Sequence, residues 1–158
     1  MADAVHTCVA WIAEPATWAD DSSKFAAKAG LEGRLIAIGG LPPGLLPSEL
    51  VASATNFWRL DAGDGNGIFV AASDRVPVCN AVGGGASDFQ PEAEALAEGM
   101  LTKGWRSKGR STKGDMATSQ FANATDGKLR LTISRAATAG ARKDRVQFLA
   151  TAAYQLGN

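Results

Sequence analysis

The chain has 158 residues, 46% of them apolar and 20% charged, enough for one ordinary domain that buries roughly 68–70% of its unfolded surface. No apolar run approaches the ~18 residues of a membrane helix, which excludes a helical span. The zero net charge divides into −8 over residues 1–100 (13 acids, 5 bases) and +8 over 101–158 (3 acids, 11 bases), which predicts segments that neutralise each other within one fold rather than a basic nucleic-acid arm.

Residues 1–30 predict two N-terminal helices. Val5, Cys8, Val9 and Ile12 recur at i, i+3, i+4 and i+7, an apolar stripe, with Asp3 near the positive end of the helix dipole. Pro15 ends or kinks that helix and is acceptable in the first turn of the next, PATWADDSSKFAAKAG, where Trp18 and Phe25 stand seven apart and Gly30 is the stop. Arg34 to Ile38 reads as a short strand, followed by GGLPPGLLP, whose prolines cannot continue a ladder. Ser48 is placed to cap a short helix through Ala54.

Over residues 56–83 the runs NFWRLD, IFVAAS and VPVCNAV alternate with the turns AGDGNG and Asp74-Arg75, the pattern of an antiparallel meander. In the last run Val76, Val78 and Val82 share one face and Pro77, Cys79 and Ala81 the other, so both faces can be covered. Ser87 and Gln90 have capping-box spacing, and a helix is predicted over 88–103, with Phe89, Ala93, Leu96, Ala97 and Met100 inward and Gly104 as its stop. Residues 104–114 read as a polar loop. A three-strand meander is expected over 115–156: MATSQFANA, the turn Thr125-Asp126-Gly127, KLRLTISRA, and RVQFLATAAYQL after a loop at Thr138 to Asp144. Leu129, Leu131 and Ile133 alternate with Lys128, Arg130, Thr132 and Ser134, as in a half-buried strand.

The expected fold is a single α+β domain: an antiparallel sheet of about five or six strands with N-terminal helices and one crossover helix. Its element order is similar to that of profilin-like and PAS-like sheets. Such architectures host sensors, scaffolds and enzymes alike, so function must come from sites.

Groups that carry chemistry are sparse. The stretch VGGGASD, residues 82–88, leaves a strand and enters a helix, where backbone N–H groups suit a phosphate. A dinucleotide fingerprint starting at Gly83 would need Gly where Asp88 stands, and no Lys-Ser/Thr pair follows, so a flexible turn is the better reading. DAGDGNG, residues 61–67, resembles part of a calcium loop at Asp64, Asn66 and Gly67. That register puts Ala62 at the first ligand position and Ser73 at the twelfth, which favours a hairpin turn. One His and two Cys cannot complete the usual zinc site without carboxylates or a second chain. His6 is the only imidazole, Cys8 lies on a different helix face, and no G-x-S-x-G elbow occurs. Asp20 with Asp21, and Glu94 with Glu98, suit solvated charge as well as acid–base work. No catalytic residue, metal ligand or cofactor is assigned.

Two features remain. Cys8 and Cys79 are both placed to point inward and suit a disulfide between the first helix and the sheet, which would imply an oxidising compartment; two buried free thiols are the alternative. Lys103, Arg106, Lys108, Arg110 and Lys113 surround Trp105, so five of the chain's 16 cations fall within 11 residues, beside a ring able to stack on a base. The functional expectation is a non-enzymatic binding or interaction module, periplasmic or secreted, for a protein or small-molecule partner. MADAVHTC lacks the basic segment of a signal peptide, which fits a mature exported chain restarted with Met. The alternatives are a polyanion- or nucleic-acid-binding protein using residues 103–113, and a small enzyme.

Overall fold

In a computed structural model, which describes residues 1–14, 22–61, 67–85, 87–140 and 146–155, eight strands pair into one antiparallel sheet. A first meander comprises β1 (Leu35–Ile38), β2 (Asn56–Asp61), β3 (Gly67–Ala72) and β4 (Val78–Gly84); a second comprises β5 (Trp105–Lys113), β6 (Met116–Asn123), β7 (Leu129–Ala136) and β8 (Val146–Tyr154). The order β1-β2-β3-β4-β8-β7-β6-β5 joins the meanders through β4 and β8 and leaves β1 and β5 at the edges. Among the described residues the α-helices are α1 (Ala2–Ala13), α2 (Ser22–Lys28), α3 (Ser48–Ser53) and α4 (Gln90–Gly99), the last continuing into a 3₁₀ turn, Met100–Lys103.

This α+β architecture has more strands than the five or six expected. The main correction concerns residues 104–114, which form the edge strand β5 and not a loop, so the second meander has four strands and begins at Trp105. Its Ser, Gly, Lys and Arg content signals solvation, and an edge strand is solvated: every residue after Trp105 is exposed. The helix expected over 88–103 starts at Gln90 and tightens to 3₁₀ geometry from Met100, and Gly104 ends it with φ +79°, the left-handed conformation glycine adopts freely. In place of a capping box, the Asp88 carboxylate accepts the Gln90 N–H at 3.1 Å. The expectations for Pro15, Trp18, Asp20 and Asp21, for the turn residues 62–66 and for 141–145 lie outside the described residues.

Strand alternation explains where the core sits. One face of the sheet carries Trp58, Leu60, Ile68, Val70, Cys79, Ala81, Leu131, Ile133, Phe148 and Ala150, and both α1 and α4 lie over it, contributing Val5, Cys8, Trp11, Ala93 and Leu96. Trp11 meets Phe25 and Trp58 edge-on, with ring centroids 5.0 and 5.1 Å apart, pairs worth about 0.5–1.5 kcal/mol each beyond their buried area. Its indole N–H, fully buried, donates to the Ser73 carbonyl at 2.8 Å. The second face is covered over the first meander and the adjoining start of β8. There Leu41, Leu45, Leu46, Leu50 and Val51, from the Pro-rich segment and α3, close over Phe57, Phe69, Ala71, Val82 and Leu149.

Cys8 and Cys79 form a buried disulfide with Cα atoms 5.1 Å apart. It closes a loop of 71 residues, which in the chain-entropy account stabilises the fold by about 4 kcal/mol. Cys8→Ser with Cys79→Ser is therefore expected to lower stability by about 2–5 kcal/mol in thermal or urea unfolding. Non-reducing mass spectrometry of the native protein should find no titratable thiol.

Candidate functional site

The strand β5 divides the expected basic cluster between two faces. Trp105 is only 8% exposed and belongs to the core, so its ring is not presented to a ligand. Arg110 pairs across to Ser119 on that same face. Arg106, one residue on from Trp105, points to the opposite face, as do Lys113, which pairs with Met116, and Lys108, which stands at the bulge between Ser107 and Gly109. Lys103 lies in the 3₁₀ turn before the strand. The cluster is thus a solvated row on one face plus a single arginine on the other.

That single arginine belongs to a clamp. Arg135, fully buried on β7, donates from Nε to Glu94 Oε2 at 2.6 Å and from Nη2 to Glu94 Oε1 at 2.9 Å, and its Nη1 donates to Ser119 Oγ at 3.0 Å. Arg110 reaches the same carboxylate from the edge, 3.1 Å from Nη1 to Oε1. Glu94 is therefore not half of an exposed pair with Glu98. The hydrogen bonds from Arg135, with both guanidinium charges, hold its carboxyl below the ordinary carboxylate range against the opposing effect of burial. Arg135 escaped the sequence reading, although the alternation Leu129, Leu131, Ile133 continues to it and puts a charge at an inward position. The clamp ties α4 to β5 and β7, and each of its charges is already satisfied, so its role is structural.

The described part of the Gly-rich turn is tied to β8 by the buried Gln147: Oε1 accepts the Phe89 N–H at 2.8 Å, and Nε2 donates to the Gly85 and Ser87 carbonyls at 3.1 and 2.8 Å. Gln90 N–H is held by Asp88, whose other oxygen accepts Gly140 N–H at 2.7 Å. His6 is exposed on α1.

What remains open is the second face of β5 to β8. Register places Arg106, Ala122, Arg130 and Ala153 in one cross-strand row, and Gln120, Thr132 and Thr151 in the next. The small Ala122 separates two arginines about 10 Å apart, two strand spacings. Lys108, Gln120, Phe121, Arg130, Thr132 and Gln155 line an open shelf of about 450 Å³ there. Arg130 Nε donates to Gln155 Oε1 at 3.1 Å, which orients the guanidinium, and Thr118 and Ser134 share a hydrogen bond of 2.9 Å. Along β5, Arg106 to Lys113 spans roughly 23 Å of extended chain. No strand position on this face of β5 to β8 is acidic, and no described salt bridge engages Arg106, Lys108 or Lys113. The chain matches no family model, no curated protein and no solved structure.

The clamp supplies a test of the architecture beneath this shelf. Glu94→Gln leaves the Arg135 guanidinium buried beside a neutral amide and is expected to cost about 3–5 kcal/mol, whereas replacing the pair together, Glu94→Leu with Arg135→Met, should cost less. Because the folded carboxyl titrates below its unfolded value, its contribution is present above the unfolded value and is lost as pH falls through the folded one. The urea midpoint of the native protein should therefore drop on acidification through and below the ordinary carboxylate range, and that of the double variant should drop less.

Proposed function

We propose that the protein is a non-enzymatic, exported binding module that presents the open face of β5 to β8 to an anionic partner. The observation that carries this reading is a face bearing Arg106, Lys108, Lys113 and Arg130 with no acidic strand residue among them, interleaved with uncharged hydrogen-bonding side chains. An antiparallel sheet commonly leaves one face to water, but a merely solvated face gains from mixing both signs of charge, and the strand positions here carry one sign. The buried disulfide supports an oxidising compartment, periplasmic or secreted. Among the described residues no helix is long and apolar enough to cross a membrane. The element order, similar to profilin-like and PAS-like sheets, adds nothing to the choice, since function is carried by the face.

The partner's class follows from what the face lacks. Single-stranded nucleic acid is held by cations together with aromatic platforms, and stacking is worth about 1–3 kcal/mol per base. Trp105 and Phe121 are buried in the core, only 8% and 4% exposed, so among the described residues no ring stands free over the basic strands for a base to stack on. Cations spaced along an extended strand, beside Thr, Ser and Gln, suit a sulfated or carboxylated polysaccharide better.

Retention on heparin should be strong at low salt and fall steeply as salt rises, through counterion release. Arg106→Ala, Lys108→Ala and Arg130→Ala combined should flatten that dependence by about one unit of slope per removed contact without altering the far-ultraviolet spectrum. Arg110→Ala, on the opposite face, should lower stability and leave the salt slope unchanged. Elution indifferent to salt, or a triple variant retained like the native protein, would refute the reading; tighter binding of oligo(dT) than of heparin would move it to nucleic acid.

A further inference from the structure

We infer that a groove on the core side of the sheet, between the C-terminal end of α1 and the ends of β7 and β8, binds a small organic cation: a protonated amine on an apolar body. The site is independent of the open face. Ile12 and Ala13 from α1, Pro77 from the turn between β3 and β4, Leu129, Tyr154 and Asp126 line a groove of about 440 Å³, within the range of small-molecule sites. Backbone bonds fix its walls: Tyr154 N–H donates to the Pro77 carbonyl at 2.9 Å, and Leu129 N–H to the Asp126 carbonyl at 3.0 Å.

Two sources of negative potential meet in this apolar setting. Asp126, half-buried in the turn before β7, accepts the Lys128 N–H through Oδ1 at 3.0 Å, a bond that orients the carboxylate without cancelling its charge, and it lines the groove beside Tyr154. No described salt bridge engages it. The second source is α1 itself, whose last turn holds no basic residue and whose negative dipole end lies where Ile12 and Ala13 form the wall. Apolar walls reduce screening between a bound charge and these groups. The Tyr154 ring adds a face for an ammonium ion. The neighbouring Asp126 carboxylate also raises the Tyr154 hydroxyl above its ordinary titration range.

An anion meets only repulsion here, and a neutral apolar molecule gains the walls but leaves the carboxylate unanswered. The ligand the groove prefers therefore carries a positive head sized for Asp126 and an apolar tail lying on Leu129, Pro77 and Ile12.

Titration of the intact protein with phenethylammonium, followed by NMR at the ring of its single tyrosine, tests this. Saturable binding is expected, weaker by about tenfold or more for 2-phenylethanol, the scale of losing one charge-assisted hydrogen bond, and undetectable for 3-phenylpropionate. Asp126→Asn keeps the Oδ1 acceptor for Lys128 and should weaken the amine by a similar factor. Ala13→Lys guards against a folding artefact: a cation at the end of α1 favours the helix, so the thermal midpoint should hold or rise while amine binding is lost. Equal affinity for the amine and the alcohol, indifference to both substitutions, or no saturable shift would overturn the proposal.

Discussion

The attachment of α1 to β4 through Cys8 and Cys79 is the constraint from which the rest of the molecule is laid out. β4 is the last strand of the first meander and pairs with β8, the last of the second, so a helix held over this junction is packed on both halves at once. With Cys8 fixed, the next turn of α1 delivers Trp11 to the carbonyl of Ser73 and to the rings of Phe25 and Trp58. The same turn sets Ile12 and Ala13 at the rim of the Tyr154 groove. A small core in which about a third of the described buried apolar residues are alanine gains much from fixing its few large rings, because alanine surfaces interdigitate little.

The second meander is held by different chemistry. α4 crosses from β4 to the far edge, and its inward residues include two alanines, Ala93 and Ala97, which grip the sheet weakly. The added anchor is electrostatic, the carboxylate of Glu94 between Arg135 and Arg110. Such a clamp gives direction more than energy, since desolvating three charges offsets much of their attraction. It nevertheless fixes which face of β5 turns inward, and hence which cations turn out.

Legibility followed the strength of each local pattern. Strands with strict alternation or clear turns, such as NFWRLD and KLRLTISRA, were readable, as was the stop at Gly104, because period and turn chemistry act within a few residues. β5 was not, because WRSKGRSTK is written for an edge, where solvation selects residues that also fill loops. The disulfide was visible as one of two possibilities, since two inward cysteines on facing elements are compatible with either a bond or two thiols. Glu94 was misread from helix spacing alone: its partner lies 41 residues away on β7, and no local rule pairs them.

The charge division of the chain acquires a sharper meaning from this geometry. If the −8 and +8 segments existed only to neutralise each other, their bases and acids would pair widely across the fold. Among the described salt bridges, the bases of the second segment that reach an acid of the first are Arg110 and Arg135, and both converge on Glu94. Arg106, Lys108, Lys113 and Arg130 face the other way, onto a surface without strand carboxylates, while the negative end of α1 and Asp126 face the core side at the ends of β7 and β8. The strand charges on the open face of β5 to β8 are thus all positive, whereas the core side holds Asp126 and the negative end of α1 together with Arg110 and Arg135 around Glu94. A face whose strand charges share one sign retains a field able to draw a counter-charge from solution.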